Sequence, residues 1–441
     1  MENGTDLFNH LLRLLPCGWE AKAKELGALK RARVIKTAGE LLRMILLYVT
    51  EGKSFAGTSA IISLSGKLIS KISVFNRFKK CAEWLKWLCE HIYRQEGLLV
   101  EKPQWLEGKN VCLVDASESG KCSKTQQVHF RLHYCIDLFT LCMREFSLTP
   151  IKEGEKLSNF KKFGKDDIVM ADRGYTNIKG IEYIKKVQAD YLLRMNAGVF
   201  NLYDAENQKI DLLKHLESLN LKEWETIDIF AHCIIDKKLY PVRICAIRKD
   251  EDKEKEGLER ISKTNRRKNK GEKKRESELQ KQNNKYILVI TSLGKQVSAV
   301  QIMELYRARW QIEIAFKRLK SIFQYEEIPT RLSENIKTWF YGKLLLAALT
   351  ETMVNIGRFS PGDEECSKEV LPAPAKQRSL WRELRIAYSM LIKLVLDILD
   401  CTNLSLVLKR LSNACRDSKR KRIPQLHSFN SGWCCKMYDE I

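Results

Sequence analysis

Proline is scarce in this chain, with nine in 441 residues, and 22 glycines complete a short supply of backbone breakers. That composition excludes collagen-like or linker material. The amino terminus, MENGTDLFNH, lacks the basic stretch followed by an apolar one that marks a secretory signal. Long apolar runs are missing too. Those over 344–349 and 390–399 are too short to span a bilayer, and Lys393 and Asp397 interrupt the second. Fourteen cysteines include no C-x-x-C pair, and the seven histidines form no ligand-spaced cluster with them. This argues against a zinc site and for reduced thiols, adjacent Cys434 and Cys435 being incidental. The expected location is cytoplasmic, with no membrane partner.

Acid is in deficit as well. The chain has 77 Lys and Arg against 55 Asp and Glu, a formal charge of +22. Such an excess points to a polyanion, nucleic acid before an acidic membrane surface, although a protein can be basic for no binding reason. With 44% hydrophobic and 30% charged residues, the composition is that of a globular protein long enough for two or three domains.

Periodicity divides the chain. Residues 1–105 read as helical, with Phe8, Leu11, Leu12 and Leu15 at helical spacing and another helix over 37–50. A third, over 67–93, sets Leu68, Ile72, Phe75, Phe78, Leu85 and Leu88 against Lys67, Lys71, Arg77, Lys79, Lys80 and Lys86. It suits either a helix-turn-helix-like DNA contact or a plain bundle with a solvated basic face. From 106 to 195 the texture is α/β. An apolar run ends in Asp115, a strand alternates through Val128, Phe130, Leu132, Tyr134 and Ile136, and a return strand follows a turn at Asp137. A polar helix over 156–163, a second apolar strand ending in Asp172, a helix over 178–187 and a strand over 189–195 complete it. The alternation leaves His129 and His133 on the solvent side. This element order is that of a ribonuclease-H-like domain.

Residues 196–291 are β-rich and contain a charged run, 248–285, with 15 basic and nine acidic residues, expected as an exposed helix or a loop. Residues 292–357 return to the core with one long helix over 297–323, and 358–441 form a helical tail with a basic cluster over 416–422.

On the long helix, Tyr306, Arg309, Glu313 and Lys320 are offset by 0, 3, 7 and 14 residues. At about 100° per residue they share a stripe roughly 60° wide. Alone, this would be an ordinary surface stripe in which Arg309 and Glu313 pair at i,i+4. With Asp115 and Asp172 at strand ends, three carboxylates could converge. Such a cluster needs cations to stay ionised at neutral pH, and hard ions with oxygen ligands, Mg²⁺ above all, supply them.

These residues resemble the DDE transposases of the insertion-sequence-4 family. Its helix signature, Y-x2-R-x3-E-x6-K, stands without a gap from Tyr306 through Arg309 and Glu313 to Lys320. The strand motifs resemble Val111-Cys-Leu-Val-Asp115-Ala-Ser117 and Ile168-Val-Met-Ala-Asp172-Arg-Gly-Tyr175, and the likeness runs from about Asn110 to Leu349.

The resemblance implies a ribonuclease-H-like catalytic core interrupted by a β-rich insertion. It implies a cut-and-paste enzyme that cleaves the ends of its insertion sequence and joins the 3′-hydroxyls to target DNA, with a hairpin intermediate as one route. Asp115, Asp172 and Glu313 would hold two Mg²⁺ ions, for which Mn²⁺ can substitute. Tyr306, Arg309 and Lys320 would grip phosphates, Arg173 and Tyr175 would touch DNA near the metals, and Tyr286 would stack on a flipped base, with Trp224 as the alternative. Trp310 is either core or DNA-facing, and Ser117, Glu118 and Ser119 either orient metal ligands or form a loop. The partners implied are double-stranded DNA at terminal inverted repeats and target, and a second copy in the synaptic complex, associated with the nucleoid. The alternative is an inactive or domesticated relative that binds DNA without cutting it.

Overall fold

In a computed structural model of the chain, the described residues are 8–30, 33–52, 54–64, 68–92, 102–118, 130–235, 238–268, 277–329, 332–359, 376–396 and 416–418. Two compact units emerge. One takes the chain up to Gly97, Ser117–Arg131 and the part beginning at Ile314; the other takes Leu98–Ala116 and Leu132–Glu313.

The helical unit opens with α1 (Phe8–Leu12), α2 (Trp19–Glu25), α3 (Ala38–Leu47), α4 (Phe55–Leu64), α5 (Lys71–Phe78) and α6 (Ala82–His91). Helix α3 begins where a capping box closes it: Glu40 donates its backbone N–H to the Thr37 hydroxyl, and its carboxylate reaches back to the Thr37 N–H. The single helix expected over 67–93 is two, α5 and α6, separated at 79–81. Each half has its own packing partner. Phe75 and Phe78 of α5 meet Tyr48 and Phe55, with Tyr48 to Phe78 centroids 4.4 Å apart. Trp84 of α6 stacks near Trp19 and donates its indole N–H to the Trp19 carbonyl at 3.1 Å.

The other unit is organised on a sheet. Its strands are β1 (Asn110–Glu118), β2 (Phe130–Asp137), β3 (Met143–Pro150), β4 (Asp167–Ala171), β5 (Asp190–Met195), β6 (Leu202–Tyr203), β7 (Lys209–Ile210), β8 (Thr226–Ile235), β9 (Lys238–Arg248) and β10 (Tyr286–Thr291). Their order is β3-β2-β1-β4-β5-β10-β9-β8-β6-β7. Between them lie α7 (Ile178–Lys186), α8 (Leu212–Ser218), α9 (Glu251–Lys268) and α10 (Glu278–Asn284). Strands β1, β4 and β5 run parallel, and buried Val111–Val114 and Ile168–Ala171 explain their continuous apolar runs. Strand β10 pairs antiparallel with β5, so the β-rich segment continues the same sheet and covers what would otherwise be an open edge.

Two expected helices differ. The polar helix over 156–163 is only a 3₁₀ turn, Leu157–Asn159, because Leu157, Phe160 and Phe163 are all drawn into the core and Phe160 has extended backbone. The long helix over 297–323 is α11 (Ala299–Arg307) and α12 (Trp310–Ser321). Between them the amides of Ala308, Arg309, Gln311 and Ile312 each bond three residues back, so the ideal 100° series is broken there. The charged run over 248–285 is helical in α9 and α10; residues 269–276 lie outside the described ones. The helical unit closes with α13 (Ser333–Phe359), which packs on α6, and α14 (Leu380–Leu396), which packs on α13.

Candidate active site

The register of the parallel strands places the first two carboxylates. The β1–β4 ladder runs to Val114 opposite Ala171, and the next position in each chain is Asp115 and Asp172. Each is also tied to its own backbone: Asp115 accepts the Ala116 N–H at 2.8 Å, and Asp172 caps the turn at Arg173–Tyr175 by accepting the Gly174 N–H at 2.9 Å. Strand β1 does not stop at Asp115 but runs on to Glu118. At Gly174 a Cβ would sit 2.0 Å from a Glu155 carboxylate oxygen, so a larger residue there would have to displace the Glu155 side chain.

Electrostatics bring Glu313 into the same neighbourhood. Burial pushes the Asp115 carboxyl up to about 7. The Ala116 N–H opposes that shift, Asp172 adds repulsion, Arg309 counters it, and Glu313 adds more. Glu313 itself is 53% exposed on α12 and is held by the Arg309 guanidinium at 2.5 Å. Among the described residues, no three His, Cys, Asp or Glu side chains are gathered tightly enough to hold one metal ion. The donor set is nevertheless that of a hard cation, two adjoining aspartates and a glutamate paired with an arginine.

Next to the carboxylates lies a set of crowded positive charges, of which the sequence pointed only to Arg173. Burial lowers the Arg173 guanidinium to about 10, and Arg194 on β5 lowers it further, while Tyr306 and Asp172 pull the other way. Lys249 is buried and falls to about 8 for the same first reason, with Arg194 and Arg173 repelling it. The Arg194 Nε and the Tyr306 hydroxyl are buried, and neither has a hydrogen-bond partner among the described residues. Buried donors without partners are costly, so a ligand is the natural complement. The available signal for Arg194 was a single charge inside the apolar strand Asp190–Met195. A pocket of about 390 Å³ opens on Arg173, lined also by Asn196, Val199, Ile261, Leu279 and Asn283.

Other expected contacts fall elsewhere. Tyr175 is fully buried, and its hydroxyl meets His133 Nδ1 at 3.2 Å, so it braces the Asp172 turn from below and offers DNA no surface. His133, expected at the surface, is fully buried; its Nε2 meets Thr149 at 2.9 Å and Asn159 at 3.1 Å. The alternation pattern misplaced it because the segment carrying Asn159, Phe160 and Tyr175 covers that face of β2. His129 and Ser119 lie outside the described residues. Tyr286 is buried in the sheet core with the Arg248 guanidinium over its ring at 5.6 Å, which leaves no free face for a base. Lys320, seven residues beyond Glu313 on α12, is exposed and pairs with Glu326 at 2.9 Å. Glu118 pairs with Arg131 at 3.2 Å, Trp310 is 36% exposed, and Trp224 is half-buried with a left-handed φ of 62°.

Residues 107–349 match the Transposase DDE domain family, a span that contains every carboxylate and cation just described. The chain is similar to the transposase for insertion sequence element IS421 of Escherichia coli, at 29% identity over 343 residues, covering 76% of this chain and 90% of that protein. It is similar also to the transposase for IS231C of Bacillus thuringiensis subsp. berliner, at 25% identity over 382 residues and 77% of each chain. The transposase for IS231F of Bacillus thuringiensis subsp. israelensis shares 24% over 453 residues, covering 91% of this chain and 89% of that one. The chain belongs to the DDE transposase family. It is a DNA transposase, an enzyme of the DDE type.

Proposed function

We propose that the enzyme is an insertion-sequence-4 type transposase with a ribonuclease-H-like core, cutting the ends of its element and transferring the 3′-hydroxyls to target DNA. The observation that carries this is that Asp115 and Asp172 follow the last pair of the parallel ladder, with burial, and secondarily its acidic neighbours, pushing the Asp115 carboxyl up to about 7. Asp115, Asp172 and Glu313 would hold the divalent ions. Bound there, two Mg²⁺ ions would activate the attacking water or hydroxyl and stabilise the leaving oxygen. Glu313 meets Arg309 through one carboxylate oxygen, which leaves the other for a cation shared with the aspartates.

The residues around the carboxylates supply the DNA grip. Arg173 and Arg194 repel each other beside the unpartnered Tyr306 hydroxyl, and a phosphate at the cleavage point would offset that repulsion and satisfy both orphaned donors. Lys320 would hold a phosphate farther along α12. The pocket beside Arg173, with apolar walls and amide edges, suits a nucleoside better than the buried Tyr286 does. His133 and Tyr175 position the Asp172 turn. Two copies would act together at the paired ends.

The test is cleavage of a duplex carrying the terminal repeat that flanks the gene. Strand cuts that require Mg²⁺ and vanish in Asp115→Ala, Asp172→Ala and Glu313→Ala are expected. Binding with no cleavage by the wild-type protein in any divalent metal would instead favour a domesticated DNA-binding relative.

A further inference from the structure

Helix α5 carries a surface that the catalytic reading does not use. Its Val74 and Phe78 are buried, with Phe78 and Phe75 against Tyr48 and Phe55. On the open side Ile72, Asn76 and Lys79 are offset by 0, 4 and 7 residues, a stripe about 60° wide. Ile72 is 63% exposed, and Leu68, just before the Ser70 cap, is 82% exposed. These are the two most exposed large aliphatic side chains among the described residues. Exposed aliphatics scattered singly need no partner, whereas two within four residues and flanked by exposed lysines suit a surface that something covers.

The surroundings say what does. From Gly52 to Ala82 the sequence has six Lys and Arg and no Asp or Glu. Lys71, Lys79 and Lys80 are exposed and in no ion pair among the described residues, whereas Arg77 is drawn towards Glu40 and takes no part in this face. Asn76 on the same side is exposed and can hydrogen-bond, while the Ser70 hydroxyl caps the helix by accepting the Ser73 N–H. Helix α4 packs on α5, and Ser59 of α4 donates its hydroxyl to the Ile69 carbonyl at 2.5 Å, fixing the connection. A second helix braced by a first, presenting its amino-terminal end, is how helix-turn-helix proteins enter the major groove. A protein partner would be expected to answer the aliphatics with a larger apolar patch and to carry acid against the lysines; the groove offers methyl groups edged by phosphates.

We propose that Leu68 and Ile72 read the 5-methyl groups of thymines in the major groove at the ends of the element, with Lys71 and Lys79 on the neighbouring phosphates. This rests on the transposase reading and adds the sequence-determining residues to it. Asn76, on the same stripe, faces the base edges. Selection of the element's own ends is thereby carried by α5 and not by the catalytic cluster.

The experiment uses the full chain in EDTA, with anisotropy of labelled duplexes carrying the inverted repeat flanking the gene, a shuffled duplex, and versions with uracil for single thymines. Uracil removes only the methyl. The expected result is that Leu68→Ala and Ile72→Ala each weaken end binding about tenfold and shuffled-duplex binding less than about twofold. Uracil at one or two positions should cost the wild-type protein about as much, and cost the matching variant nothing further. Unchanged melting temperatures keep the comparison valid, since both side chains are exposed. The proposal is overturned by equal affinity of the variants, by parallel losses on shuffled DNA, or by a wild-type protein blind to uracil everywhere. A dimer dissociated by Ile72→Ala in sedimentation, with DNA affinity intact, would assign the face to a second copy and overturn it too. If the wild-type protein cuts the end duplex with Mg²⁺ while these variants bind normally, this inference alone fails; if it neither binds nor cuts, the transposase reading fails with it.

Discussion

Two neighbourhoods of one sheet each gather like charges, with opposite sign. Where the β1–β4 ladder ends, Asp115 and Asp172 adjoin with Glu313 in electrostatic reach. On the side of β5 and β9, Arg173 and Arg194 crowd around a buried tyrosine, and Lys249 is close enough for both to repel it. Neither neighbourhood neutralises the other: Asp115 stays pushed up towards neutrality and Lys249 down. Burial is the main cause of both shifts, and like-charged neighbours add to it. The sheet holds them apart in strands of fixed register, which is the arrangement that a cation and a phosphate, bound together, would complete.

The comparison breaks most sharply if the acidic side is removed. Asp172→Ala or Glu313→Ala is expected to lower strand cleavage by at least about 10²–10³-fold, the scale of losing a preorganised charge at a reacting centre. End-duplex affinity without metal should hold or rise, because the basic side loses a nearby anion. A variant that cuts normally would remove the acidic neighbourhood from the reaction. The basic side answers differently. Arg194→Ala should weaken DNA binding about tenfold and reduce the salt dependence by about one unit of slope, as loss of one phosphate contact does. An unchanged slope in a quantitative titration would mean that Arg194 faces no phosphate.

Much of this was legible in the residues. The aspartates were singled out because buried parallel strands are continuous apolar runs, so an acid that follows one stands out. Glu313 was singled out through spacing along a helix, although that helix is broken at 308–309 and the ideal wheel does not apply across the break. Proximity is carried by the fold there, not by the periodicity. His133 and Tyr175 were misjudged for one reason: alternation reports which side of a strand a residue occupies, not whether a later segment covers that side. Lys249 and Arg194 were missed because a buried cation in a basic chain has no signature until its neighbours are known.

The brace under Asp172 gives the next expectation. His133→Ala leaves the Tyr175 hydroxyl and the Thr149 hydroxyl short of a partner in the core, and should cost about 1–3 kcal/mol in denaturant unfolding. Tyr175→Phe removes the hydroxyl's bond to His133 and should cost about 1 kcal/mol. If both variants keep full stability, the network does not brace the turn.

The smallest effect tests the acidic side from the fold's own point of view. Asp115 titrates near 7 in the folded chain against an ordinary 3.8, so the folded state keeps a proton that the unfolded chain has released. The stability this lends is complete below about pH 4 and is lost as pH rises towards 7. Above that, the folded protein carries a carboxylate crowded by Asp172 and Glu313. Asparagine cannot ionise and escapes the loss. In EDTA, the melting temperature of Asp115→Asn should therefore match the wild-type protein near pH 4 and exceed it by a few degrees at pH 8, the gap opening mainly between pH 5 and 7. Added Mg²⁺ should raise the wild-type value and leave the variant unmoved, closing the gap from the other direction. A gap that is the same at every pH would mean that packing, not charge, sets it, and would leave the basic neighbourhood as the sheet's one unsatisfied cluster.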